Sequence, residues 1–209
     1  MTIPRFYVPG PWTSDRITFP EKASHHAMRV LRMRNGDEAE VFDGEGRTAR
    51  GRTEFSSEGT VLIAESYPEH GRESPLFITL AQAFVSPDKM EWITEKAVEA
   101  GASRIVFFPA ARSVTKLSGD KLTKRLEKLR ATAVSACEQC GRSRIPEIEA
   151  FASAEAMLSG LNADARVILA PSSDPGLALG AARSVVFAVG PEGGFSEEEL
   201  TLADGAGWT

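Results

Sequence analysis

The chain has little of what most catalytic and metal chemistries need. Its 209 residues include two cysteines, Cys137 and Cys140, and three histidines, His25, His26 and His70. They supply no Ser-His-Asp set, no Gly-x-Ser-x-Gly turn and no His-x-x-x-His pair, so triad hydrolysis and zinc catalysis find no footing. Two cysteines give no disulfide framework. No apolar run is long enough to cross a bilayer, and the opening Met-Thr-Ile-Pro-Arg-Phe-Tyr-Val lacks the pattern of a signal peptide, so the expected setting is a reducing cytoplasm. Cys137-Glu-Gln-Cys140 has a redox spacing, but it ends a predicted helix just before Gly141, where the helix dipole disfavours thiolate. It reads as packing, and no metal is expected.

What is present is an ordinary globular composition, 42% hydrophobic and 25% charged, with an uneven distribution of charge. The net charge is −5, yet residues 112–144 carry nine Lys/Arg against three acids. Residues 1–52 are also mildly basic, with nine Lys/Arg against seven acids. A basic segment in an acidic protein reads either as a polyanion site or as a solvated helix face.

The pattern changes once along the chain. Residues 1–70 hold short alternating runs and turn signals, such as Ala39–Gly46 and the strand candidate Thr60–Ala64, which suggest a small β-rich, barrel-like domain. A short helix is expected over His25–Arg32, with Ala27, Val30 and Leu31 on one side. Ser66–Pro75, with two prolines and a glycine, reads as a linker. From there to residue 209, strands and helices alternate: a strand over Leu76–Ala83, a helix capped at Ser86-Pro87 and stopped at Gly101, and a strand over Arg104–Phe108. A long helix comes next over Asp120–Cys140, then strands over Arg166–Ala170 and Ser184–Val189. This is an α/β domain, 71–209, with a mostly parallel sheet.

The most informative segment is Gly190-Pro-Glu-Gly-Gly194. It lies between the apolar strand Ser184–Val189 and a helix announced by the capping box Ser196/Glu199. Glycines at a strand-to-helix turn let backbone groups approach a ligand closely. The loop lacks the Lys-Ser/Thr of a phosphate cradle, and Glu192 would repel a polyphosphate, so a nucleoside-like ligand fits better. A second candidate is Gly141-Arg-Ser-Arg144, where Arg142 and Arg144 come after a helix end, one turn beyond Glu138 and Gln139. Arginine forks suit phosphates and base edges, although cations at a helix C-terminus also serve as caps. His25-His26 with Arg29, Arg32 and Arg34 offers a further basic face. Glu192, Glu138 and the two arginines are the ionisable residues best placed for chemistry, and none declares itself a general base.

Taken together, Pro4–Tyr7, His26 with Val30-Leu-Arg32, Gly36-Asp37 and Phe42-Asp-Gly44 form a recognisable series. It continues through Lys89-Met-Glu91 to Gly101, Ala136–Arg142 with Arg144-Ile-Pro-Glu147, and Gly190–Gly194. The series resembles the bacterial 16S ribosomal RNA uridine-N3 methyltransferases of the SPOUT, or trefoil-knot, superfamily. The resemblance implies an N-terminal PUA-like β-barrel that binds RNA, followed by a knotted α/β methyltransferase domain that dimerises and uses S-adenosylmethionine. It implies that Gly190, Pro191, Glu192, Gly193 and Gly194 line the cofactor pocket with Leu169 and Ala170. Arg5, Arg29, Arg32, Arg112, Gln139, Arg142 and Arg144 would face RNA, and Arg142 and Glu138 would assist the chemistry. The family pattern continues past Gly205-Ala-Gly207 with a strand, a loop and a final helix, so the sequence is expected to be part of a longer protein. Two other readings stay open: a non-catalytic RNA-binding fragment, and a SPOUT enzyme with another RNA target.

Overall fold

Alternation in the first third of the chain and βαβ periodicity in the rest become two five-stranded sheets in the computed structural model, which describes residues 3–69, 73–171 and 179–209. The first sheet is built from β1 (Arg5–Tyr7), β2 (Arg16–Thr18), β3 (Glu38–Phe42), β4 (Thr48–Ser56) and β5 (Gly59–Ser66). Their order is β1-β3-β4-β5-β2, with β1 parallel to β3 and the other pairs antiparallel. Although β1 and β2 are its edges, Phe6 from one and Ile17 from the other lie in the same core with Val41, Ala49 and Leu62. The Phe6 ring is 5.1 Å from that of Phe19, just past β2. The sheet must therefore curl around this core. A bulge between Arg50 and Gly51 gives it the bend, and a Cβ at Gly51 would run into the Ile63 carbonyl.

The helix of this unit corrects the expectation for residues 25–32. Helix α1 starts earlier, at Glu21–His25, after Pro20, and then widens into a π-turn over His26–Val30, with the Leu31 N–H donating to the His26 carbonyl. The extra residue in the turn rotates the side chains beyond it out of the helical register. Ala23 and Ala27 stay inward, but Val30 is 62% exposed and Leu31 is also out in solvent.

In the second sheet every pairing is parallel, with strands β6 (Phe77–Ala83), β7 (Arg104–Phe108), β8 (Glu147–Ala150), β9 (Ala165–Leu169) and β10 (Ser184–Val189). Their order is β8-β7-β6-β10-β9. Helix α2 (Pro87–Glu99) comes after β6 and buries Met90, Thr94 and Val98, each one turn apart. Ser86 holds its N-cap position but makes no side-chain cap; Pro87 at the first helical position fixes the start instead. Helix α3 (Gly119–Cys140) precedes β8, α4 (Ala154–Gly160) precedes β9, and α5 (Glu197–Gly205) comes after β10. On one sheet face Val106, Phe108, Val186 and Ala188 join Met157, Leu158, Ala203 and Trp208 in a core. The alternate residues Ile105, Phe107 and Val185 are buried too, so both faces are covered, as a parallel sheet requires.

By its contacts the chain divides into residues 1–73 with 134–145, and residues 74–133 with 146–209. The first unit thus includes the end of α3 and the Gly141–Ile145 segment as well as the curled sheet. His70, and Ser172-Ser173 just beyond the Arg166–Ala170 strand signal, lie outside the described residues. No described helix is long and apolar enough to cross a membrane.

Candidate active site

Parallel strands β9 and β10 run side by side, with Leu169 opposite Val189, and their carboxyl ends open onto Gly190–Gly194. The chain turns sharply there. The Gly194 N–H donates to the Pro191 carbonyl at 2.9 Å, and Gly194 has a φ of +70°, which disfavours any side chain. A Cβ on Gly190 would come within 3.1–3.2 Å of the Gly194 and Phe195 backbone. The loop is anchored below by Phe195, whose ring stacks on Phe108, and by α5, where Ser196 and Glu199 form the capping box expected from the sequence. Glu199 does more than cap: its other carboxylate oxygen accepts the Ala111 N–H at 2.8 Å, tying the segment after β7 to the start of α5.

Three side chains hold the loop from the sheet side and the rim. Gln82 Nε2 donates to the Gly190 carbonyl at 3.1 Å, Arg112 Nη1 donates to the Gly193 carbonyl at 2.9 Å, and Lys89 pairs with Glu192 at 2.7 Å. The Lys89 hydrogen bond holds the Glu192 carboxyl below the usual range. Beside the loop, Leu169 at the end of β9 is 50% exposed, next to Ala170. Close-set peptide groups, an open apolar side chain and a carboxylate already engaged by lysine suit an adenosyl group, whose ring and ribose need apolar contact and neutral hydrogen bonds. They do not suit a polyphosphate.

In the first unit the arginines divide sharply by environment. Arg5 lies over the Phe42 ring and is used up by the fold: it donates to Glu40 Oε1 at 2.6 Å, to the carbonyls of Cys137 and Arg142, and to Ser143 Oγ. Arg142 is 5% exposed, and its guanidinium meets Glu73 Oε2 through two nitrogens, at 2.7 and 3.1 Å. The other Glu73 oxygen accepts the N–H groups of Ser143 and Arg144 at 3.2 and 3.1 Å. Burial alone would push the Glu73 carboxyl up, but these hydrogen bonds, that of Arg142 foremost, hold it below the usual range. Arg144 is exposed, with its guanidinium laid across the bare backbone of Gly46. Arg29, Arg32 and Gln139 are exposed as well, and Arg32 has a φ of +54°.

Glu138 accepts the Tyr7 N–H at 3.0 Å, and burial raises its carboxyl pKa. Cys137 is buried, which pushes its thiol up to about 12. Among the described residues no cluster of His, Cys, Asp or Glu is arranged to hold a metal ion.

The site residues read from the sequence thus fall in both units. Gly190–Gly194, Leu169, Ala170 and Arg112 belong to the second; Arg5, Arg29, Arg32, Glu138, Gln139, Arg142 and Arg144 belong to the first. Sequence reasoning missed Glu73, Gln82 and Lys89. Lys89 stood in a recognised motif, whereas Glu73 sat in an apparent linker and Gln82 inside an apolar strand, where nothing marks a partner distant in sequence.

Residues 72–209 match the model of an RNA methyltransferase domain, and residues 19–64 match that of an RNA methyltransferase PUA domain. Ribosomal RNA small subunit methyltransferase E of Bacillus subtilis is 32% identical over 199 residues, covering 87% of this chain and 77% of that protein. Its namesake in Mycobacterium tuberculosis is 32% identical over 194 residues, covering 87% and 72%. Among solved structures, a Legionella pneumophila protein in complex with the cofactor SAM superposes with a TM-score of 0.93 at 29% identity, covering all of this chain and 88% of that one. The Neisseria gonorrhoeae ribosomal RNA small subunit methyltransferase E bound to S-adenosyl methionine gives 0.89 at 28%, with the same coverage. The curled sheet is accordingly the PUA-like barrel and the parallel sheet the SPOUT domain expected from the sequence, and the chain belongs to the ribosomal RNA small subunit methyltransferase E family.

Proposed function

We propose that this chain acts as an S-adenosylmethionine-dependent enzyme that methylates N3 of a uridine in 16S ribosomal RNA of the small subunit. The observation that carries the reading is the Gly190–Gly194 turn at the open ends of two adjacent parallel strands, beside the exposed Leu169. Bound there, S-adenosylmethionine would supply an electrophilic methyl group on its sulfonium centre. Gly190, Pro191, Glu192, Gly193 and Gly194 would hold it with Leu169 and Ala170, through backbone groups and apolar contact.

The chain's own contribution is binding and positioning, the main sources of rate in such a transfer. Arg144, open to solvent on a braced backbone, is the arginine best placed to take an RNA phosphate or base edge. Arg29 and Arg32 extend the basic surface of the first unit, where Gln139 adds a neutral hydrogen-bonding group, and Arg112 adds a cation in the second. Arg142, whose guanidinium is turned onto Glu73, and Glu138, which accepts the Tyr7 N–H, are assigned the role of holding the Gly141–Arg144 segment and β1 in place. The residues 1–70 serve as the RNA-binding domain and 71–209 as the methyltransferase domain, in a cytoplasmic homodimer.

The test is methyl transfer from labelled S-adenosylmethionine to undermethylated small subunits, with the modified nucleoside identified. 3-Methyluridine supports the reading. A different methylated nucleoside reassigns the target, and a folded, full-length protein that transfers no label rejects it.

A further inference from the structure

Gln82 is a polar residue where the sheet otherwise demands apolar ones. It lies in β6, the central strand, between Ala81 and Ala83, and only 4% of its surface is exposed. Burying a carboxamide there is costly unless its hydrogen bonds are met. Its Nε2 faces three carbonyl oxygens: Ala83 at 3.1 Å, Gly190 at 3.1 Å and Val189 at 3.5 Å. Three acceptors around one atom fix which end of the amide is the nitrogen. Two of those carbonyls sit where β10 ends and the glycine turn begins. Val189 is still paired in register with Gln82, and Gly190 is the first residue past the ladder. A sheet carbonyl leaving its ladder needs a new donor, and Gln82 provides one from the neighbouring strand.

We propose that Gln82 is a positioning residue for the cofactor: through the Gly190 carbonyl it sets the turn in its binding posture before ligand arrives. This rests on the adenosylmethionine reading of the same site. Arg112 reaches Gly193 from an exposed position and Lys89 reaches Glu192 in solvent, so both of those holds are open to water. Gln82 acts from inside the sheet, and it fixes the peptide that decides the direction of the whole turn. If losing this donor leaves the turn correctly placed a tenth of the time, apparent cofactor affinity falls about tenfold with the bound complex unchanged.

The test uses the full-length protein and two substitutions of similar size, Gln82→Met, which removes both polar groups, and Gln82→Glu, which replaces the amide donor with a carboxylate facing carbonyl oxygens. Amide hydrogen exchange over residues 185–196 is measured without cofactor, and S-adenosylmethionine binding is measured by calorimetry. Expected are exchange at Gly194 about tenfold faster, cofactor Kd and KM about tenfold higher, kcat within about threefold, and RNA affinity within about twofold. A residue that merely stabilised the fold would instead lower the active fraction and leave KM alone, and that result overturns the proposal. So does unchanged affinity in whichever variant folds. Wild type that binds no S-adenosylmethionine condemns the functional reading itself, a separate outcome from variants that bind as wild type does.

Discussion

Two glycine-led loops, one in each unit, are braced differently. Gly141–Arg144 is held by charge: one carboxylate, Glu73, takes a buried guanidinium and two backbone N–H groups. Gly190–Gly194 is held by the neutral Gln82 amide beneath it and by two cations at its rim, Arg112 on the Gly193 carbonyl and Lys89 on its one acid, Glu192. The first arrangement presents a cation, Arg144, on a rigid backbone and suits an anionic partner. The second presents uncharged peptide groups and an apolar neighbour and suits a nucleoside. The bracing matches the ligand each loop is proposed to meet, so breaking one brace should cost a different property from breaking the other.

The largest effect is expected at Glu73. Glu73→Ala removes the carboxylate that takes the buried Arg142 guanidinium and should cost about 3 kcal/mol of stability in a urea titration, as removing one partner of a buried pair does. Glu73→Gln, which keeps an acceptor for the backbone N–H groups, should cost less. If both are neutral, charge does not brace this loop. Next comes Gly194→Ala. Its φ of +70° makes any side chain cost about 1–2 kcal/mol, and because that strain falls in the turn, S-adenosylmethionine affinity should drop about tenfold while RNA affinity holds.

Arg144→Ala should separate function from fold. RNA affinity is expected to fall about tenfold, with the slope of log affinity against log salt reduced by about one, and stability to change by under about 0.5 kcal/mol. Arg142→Ala should do the reverse, with stability lost first. Equal effects from the two would erase the division drawn between them.

The pH dependence is smaller. The Glu73 carboxyl is depressed in the folded state, so its contribution is complete above the unfolded value of 4.5 and is lost as pH falls through the lower folded value. Stability of the wild type should therefore decline more steeply than that of Glu73→Gln below about pH 5. The smallest effect is at Cys137, whose buried thiol should resist maleimide at neutral pH until the protein is unfolded.

Much of this was legible in the sequence, because it rests on local rules. The βαβ alternation, the Gly101 stop, the Ser196/Glu199 box and the glycine turn each come from residues a few positions apart. The rest was hidden by distance or brevity. Strands β1, β2 and β8 are three or four residues long, too short to show a period, and β2 becomes a strand only by pairing with β5. The π-turn at His26–Val30 breaks the helical period that grouped Val30 and Leu31 with the buried Ala27. Arg142 reads identically to Arg144 in sequence; the carboxylate that takes its guanidinium, Glu73, is 69 residues away. Gln82 is silent for the same reason, since its partner carbonyl is 108 residues distant.

The parallel pairing of β10 with both β6 and β9 has one further consequence. Adjacent strands that end together leave their last carbonyls pointing the same way, beyond the reach of the ladder that paired the rest. The glycine turn and the Gln82 amide exist at the place where the sheet runs out of itself, so the proposed cofactor site is less an addition to the fold than the unfinished edge of its hydrogen-bond ladder put to use.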